Sequence, residues 1–112
     1  MFHDVDLLPE DDRNLYTCGA QPRHLSASVD KFHYRLPYKG YIATNIFKLS
    51  KIFFAMFAEI FGGVSALSPA HLQQLNGFSN QYWGWGGEDD DMSKRIKASN
   101  LTITRYKMDI AR

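Results

Sequence analysis

The chain has 112 residues, of which 45% are hydrophobic, and 13 Lys or Arg against 12 Asp or Glu give a formal net charge of +1. That length carries one small domain with a modest core, and the hydrophobic content excludes wholesale disorder. With a near-neutral balance, nothing suggests a nucleic-acid binder, whose footprint is a basic patch.

Residues 2–8 (FHDVDLL) read as a strand ending at Pro9. Asp4 and Asp6, two apart, then share one face, with Val5 on the other. Carboxylates so placed repel unless a cation separates them, and hard Mn²⁺ or Mg²⁺ matches their oxygens. A solvated strand end is the plain alternative. Residues 10–14 (EDDRN) read as a polar surface loop. Cys18 is the one cysteine. It is either a reduced thiol, exposed or buried, or half of a disulfide whose partner lies outside this chain. Residues 25–29 and 30–36 alternate like two strands, the second stopped by Pro37. Lys31, Arg35 and Lys39 are either partners for a phosphate or solvated strand-edge cations.

Residues 40–58 break this pattern. They are apolar around Lys48 and Lys51, with helical spacing, yet too short and too charged to span a membrane comfortably. Residues 61–67 read as a strand whose glycines allow a close approach. Ser68 and Pro69 then start a short helix that turns Leu72 and Leu75 inward and stops near Asn76 and Gly77. Residues 88–99 form a second helix, with acids in its first turn and Lys94, Arg95 and Lys97 toward its end. Met92 and Ile96, four apart, face the core. Residues 101–104 are a last strand, so strands and helices mix in an α/β chain.

Between the helices lies YWGWGGEDDD, residues 82–91. Glycines there supply no bulk for core packing, and four adjacent carboxylates cost free energy unless a helix N-terminus, a cation or a polyol takes up the charge. Aromatic plates beside carboxylates suit a sugar. A turn leading into an acid-started surface helix is the other reading. Nine of the twelve acids fall in residues 4–12 and 88–91, which favours a cation or a polyol as ligand.

DVDLLP, CGAQPRH, DKFHYRLPY, FGGVSALS, NGF and YWGWGGEDDD, in that order, resemble the β-1,4-galactosyltransferase family, glycosyltransferase family 7, which includes β-1,4-N-acetylgalactosaminyltransferases. The resemblance covers residues 2–39 and 59–112. It implies a partial, incomplete GT-A fold, a mixed sheet with flanking helices, from a Golgi enzyme. Such enzymes transfer galactose or N-acetylgalactosamine from a UDP-sugar to the 4-hydroxyl of a terminal N-acetylglucosamine, with inversion and Mn²⁺. By the same resemblance Asp6 ligates the metal, and Asp4 and Val5 line the donor site. Gly63 and Trp85 contact the donor, and Glu88 sits beside its sugar. Asp89 is the catalytic base, Asp90 holds the acceptor, and Tyr38 belongs to the acceptor wall. Ile60, just before FGG, leaves room for an N-acetyl group and tilts the donor toward UDP-N-acetylgalactosamine. If Tyr41 held that place, UDP-galactose would be the donor.

The resemblance also marks departures. The family's metal-binding histidine lies beyond Arg112, its uridine-binding half and membrane anchor are absent, and the disulfide partner of Cys18 lies before Met1. Alone, the chain is expected to have little or no activity. Removing residues 40–58 leaves LPYKEIFGGVSAL, an uninterrupted family sequence, so that stretch is read as a retained intron or gene-model error, with a true insertion helix as rival. The alternative function is a non-catalytic carbohydrate- or metal-binding module around Trp83, Trp85, Asp89 and Asp90.

Overall fold

The computed structural model describes residues 1–34, 61–84 and 86–112. The helical reading of residues 40–58, and the sites expected at Tyr38, Ile60 and Trp85, lie outside them.

Four short strands pair in one mixed sheet: β1 (Phe2–His3), β2 (Arg23–His24), β3 (Val64–Ala66) and β4 (Thr104–Arg105), in the order β1-β3-β2-β4. The central β3 is antiparallel to both neighbours, with Ser65 opposite Phe2 on one side and His24 on the other. β4 runs parallel to β2, placing Arg105 opposite His24. Helices α1 (Pro69–Gln74) and α2 (Glu88–Ala98) follow β3 in the chain.

β3 is central and buried on both faces, Ser65 included. Val64 and Ala66 pack with Leu25, joined by Leu7, Tyr16 and Tyr106. Phe61 and Leu67, on either side of β3, instead join Leu75, Met92 and Ile96 from the two helices. Leu72, Phe78, Leu101 and Ile103 close around that second cluster. The expected inward pairs, Leu72 with Leu75 and Met92 with Ile96, therefore meet in one place. Each fully buried side chain here stabilises the fold by about 1.5–3 kcal/mol.

The helix ends follow local chemistry. Ser68 Oγ accepts the His71 N–H at 3.1 Å while the Ser68 N–H donates to His71 Nδ1 at 3.3 Å, a reciprocal cap with Pro69 behind it. Gly87 caps α2 without a side chain, and Glu88, Asp89, Asp90 and Asp91 fill the first turn, where the helix dipole favours negative charge. Arg95 joins the helices. Its Nε donates to Asp91 at 2.9 Å, and Nη1 donates to the carbonyls of Leu75 and Gly77 beyond the end of α1.

The strand readings need correction. Residues 2–8 are extended only to His3: the Asp4 N–H still reaches the Gly63 carbonyl at 3.0 Å, and the chain then turns, with the Leu7 N–H on the Asp4 carbonyl at 3.3 Å. Packing Leu7 against Leu25 and Val64 pulls the chain round. Asp4 and Asp6 therefore do not share a strand face. Asp30–Phe32 is a 3-10 turn, and His33 and Tyr34 have positive φ, so no strand runs through them. Asn14 lies in the expected surface loop but is buried, its Nδ2 donating to the carbonyls of Leu25 at 3.0 Å and Arg112 at 3.2 Å.

Candidate active site

The two glycines that precede β3 are the point of convergence. The Gly63 carbonyl accepts from Asp4, which ties the DVD turn to this strand. Gly62 touches the other acidic patch: a Cβ there would overlap Asp89 Oδ2 and sit 3.2 Å from Asp89 Cβ. Only a residue without a side chain lets that carboxylate settle against the strand. The backbone of the first acidic patch and the Asp89 carboxylate of the second, some eighty residues apart in sequence, are thus anchored on adjacent glycines.

Around this point the acids differ in setting. Asp89 is half-buried, and its Oδ1 accepts the Asp90 N–H at 3.0 Å. Asp90 is exposed. Glu88 is half-buried, with Oε2 sealed from water and lacking a hydrogen-bond partner among the described residues. Such an acceptor is costly to leave empty. Asp4 and Asp6 are exposed, and Val5 is fully exposed at the tip of the turn. Tyr82 and Trp83 also stand out from the surface, Trp83 at 91% exposure. Behind them the Tyr82 ring lies against Gly87, where a Cβ would come within 2.8 Å of Cδ1.

No group of three metal-ligating side chains converges among the described residues. Asp6 offers one exposed carboxylate, short of a metal centre. A hollow of about 460 Å³ is walled by Asp6, Leu8, Asn14, Ser26 and Arg112, among others, but by neither Gly62 nor the acids of α2.

Sequence reasoning missed the polar side chains that back the glycines. His24, 1% exposed, accepts from Arg105 Nε at 3.0 Å through Nδ1. Its Nε2 lies 3.3 Å from Ser26 Oγ. Ser26 in turn bonds the backbone on both sides of Gly63, donating to the Gly62 carbonyl at 3.1 Å and accepting the Val64 N–H at 2.8 Å. Burial, reinforced by the Arg105 charge, pushes His24 down to about 3, against the opposing pull of the Gly62 backbone. Burial also lowers Arg105. The two-residue spacing of His24 and Ser26 was the one available signal, since it puts both on one side of an extended segment. Arg105 left none.

A family model described as the N-terminal domain of galactosyltransferase matches residues 55–112. Human β-1,4-galactosyltransferase 2 is 49% identical over all of this chain and 25% of its own length. The corresponding figures are 46% and 27% for mouse β-1,4-galactosyltransferase 4, and 45% and 24% for rat β-1,4-galactosyltransferase 6. Among solved structures, Drosophila β-1,4-galactosyltransferase 7, a mutant in complex with manganese, UDP-Gal and xylobiose, superposes with a TM-score of 0.66 at 34% identity. That match covers 92% of this chain and 35% of the other. The mixed sheet with its flanking helices is thus an incomplete GT-A glycosyltransferase fold. The chain belongs to the galactosyltransferase family, and it spans about a quarter of the length of the curated relatives it matches.

Proposed function

We propose that this chain forms the acidic side of the active site in a UDP-sugar-dependent β-1,4-glycosyltransferase. The observation that carries the reading is the Asp89 carboxylate seated on Gly62, one residue from the carbonyl that anchors the DVD turn. One carboxylate held at a fixed distance from a donor-binding strand suits single displacement at an anomeric carbon. Asp89 takes the proton from the attacking acceptor hydroxyl as the bond to the anomeric carbon forms, and the nucleoside diphosphate leaves from the opposite face. Inversion follows from the single displacement. The unpartnered Glu88 oxygen takes a hydrogen bond from the donor sugar, and Asp90 from the acceptor. By family resemblance Val5 and Asp4 border the donor, Trp85 binds the donor and Tyr38 the acceptor.

The donor is UDP-galactose or UDP-N-acetylgalactosamine, with Ile60 favouring the latter, and the acceptor is the 4-hydroxyl of a terminal N-acetylglucosamine. Drosophila β-1,4-galactosyltransferase 7 binds UDP-Gal and manganese, which supports a UDP-sugar donor and a metal in the family. The described residues offer that metal Asp6 alone, so no step is assigned to it, and the chain by itself is expected to be inactive. The compartment proposed for the full-length protein, by family resemblance, is the Golgi lumen.

Transfer of labelled sugar from each UDP-sugar to an N-acetylglucosamine acceptor tests this reading, in full-length protein, with and without Mn²⁺. Turnover lost in Asp89→Asn is the expected result. A second reading, a non-catalytic sugar-binding module, draws on the exposed aromatic faces of Tyr82 and Trp83. Acceptor binding without any turnover would establish it instead.

A further inference from the structure

The side chains behind Gly62 and Gly63 form a continuous polar path into the protein interior. Arg105 Nε carries a hydrogen it can only donate, so His24 Nδ1 must be the accepting, unprotonated nitrogen. The ring proton of the neutral imidazole then lies on Nε2, directed toward Ser26 Oγ. Ser26 has one hydrogen and two lone pairs. It spends the hydrogen on the Gly62 carbonyl and accepts from Val64 N–H and His24, which satisfies the hydroxyl completely. A side chain at Gly63, whose φ is +72, would overlap this same Oγ. The three side-chain bonds run in one direction, from Arg105 through His24 and Ser26 to the Gly62 carbonyl.

We propose that Arg105, His24 and Ser26 are positioning residues for sugar transfer, fixing the backbone of Gly62, Gly63 and Val64 and through it the Asp89 carboxylate. The inference rests on the transferase reading of Asp89. None of the three need touch substrate. The path ends on the carbonyl of the very residue that seats Asp89, and Gly63 holds Asp4 through its own carbonyl. An apolar residue at position 24 could fill the same volume, but it would take away the donor that His24 offers Ser26 Oγ and the acceptor that it offers Arg105 Nε. A hydrogen-bonded chain passing through a buried histidine favours one arrangement. Burial that keeps His24 uncharged keeps its acceptor nitrogen facing Arg105.

The test is nuclear magnetic resonance on the intact protein. Long-range ¹H–¹⁵N spectra of the His24 ring are expected to show the Nε2–H tautomer at pH 7 and no protonation down to pH ~4. An Nδ1–H tautomer, or titration near the ordinary histidine value, overturns the relay without any variant being made. Next, the Asp89 carboxyl ¹³C resonance is followed in variants. Ser26→Ala and His24→Leu are expected to shift it, and His24→Gln, which keeps an N–H near the Nε2 position, to restore it. Leu101→Ala, a core truncation away from the path, is expected to leave it in place. A resonance unmoved in Ser26→Ala and His24→Leu, or moved as much by Leu101→Ala, overturns the proposal. Turnover is scored separately. With kcat lowered roughly tenfold in Ser26→Ala and the acceptor KM unchanged, the relay acts through the base. A full-length wild-type protein that turns over no UDP-sugar refutes the transferase reading, whereas turnover with an unmoved Asp89 resonance refutes the relay alone.

Discussion

Asp89 Oδ2 occupies the space where a side chain at Gly62 would begin. The setting of Asp89 and the lack of a side chain at position 62 are therefore one spatial fact, because the carboxylate can lie beside the start of β3 only while position 62 has no Cβ.

It follows that Gly62→Ala should act on catalysis more than on folding. The added methyl displaces the Asp89 carboxylate, and misplacing a reacting group by about 1 Å costs on the order of a hundredfold in turnover. The accompanying overpacking costs about 1–3 kcal/mol. Transfer assays beside urea unfolding separate the two; a variant with normal turnover would mean that Asp89 is not the base.

Arg95 should matter far more than its ion-pair partner. Asp91→Asn removes only a part-exposed helical pair, worth roughly 0.3–0.5 kcal/mol. Arg95→Leu also strips donors from the carbonyls of Leu75 and Gly77, adding a further ~1–3 kcal/mol. Denaturant midpoints for the two variants give the comparison directly.

Ser68→Ala removes the side-chain half of the cap on α1 and keeps the backbone N–H bond to His71, which should cost about 1 kcal/mol. Ser68→Asp keeps an acceptor at the same position and should recover most of that loss. Thermal melts of the pair would show it.

His24 gives stability a pH dependence of definite sign. Its value falls from 6.5 unfolded to about 3 folded, so between those pH values the unfolded chain holds a proton that the folded one does not. Stability is thus fully present above pH 6.5 and declines on acidification toward pH 3, with a slope of up to ~1.4 kcal/mol per pH unit from this group. In His24→Gln the decline should flatten over that window. Urea titrations at half-unit pH steps would measure the difference.

Both helices and their inward faces were legible because their signals are local. A serine before a proline, acids before a run of basic residues, and apolar residues four apart all act within one or two turns. Strand limits were not legible. Whether residues beyond His3 stay extended depends on Leu7 finding Leu25 and Val64, and nothing near Asp4 states that. The burial of Asn14 depends likewise on carbonyls at Leu25 and Arg112. The two acidic patches could be read as ligand-seeking from charge alone. Their anchoring on Gly62 and Gly63, and the histidine behind them, required the fold.

The parallel pairing of β2 with β4 also governs how the chain folds. Arg105 reaches back 81 residues to His24, and Asn14 joins Arg112 across 98. By contrast β3, α1 and α2 lie consecutively in the chain and share one cluster. Contacts that close long loops form late, because the entropy of closure precedes any reward. The helical half therefore assembles first, as a platform, and the residues around Gly62 acquire their polar backing only when the two ends of the chain arrive. In hydrogen-exchange labelling during refolding, amides of α2 gain protection before the amide of Leu25, and the polar backing of Gly62 is the last thing the chain acquires.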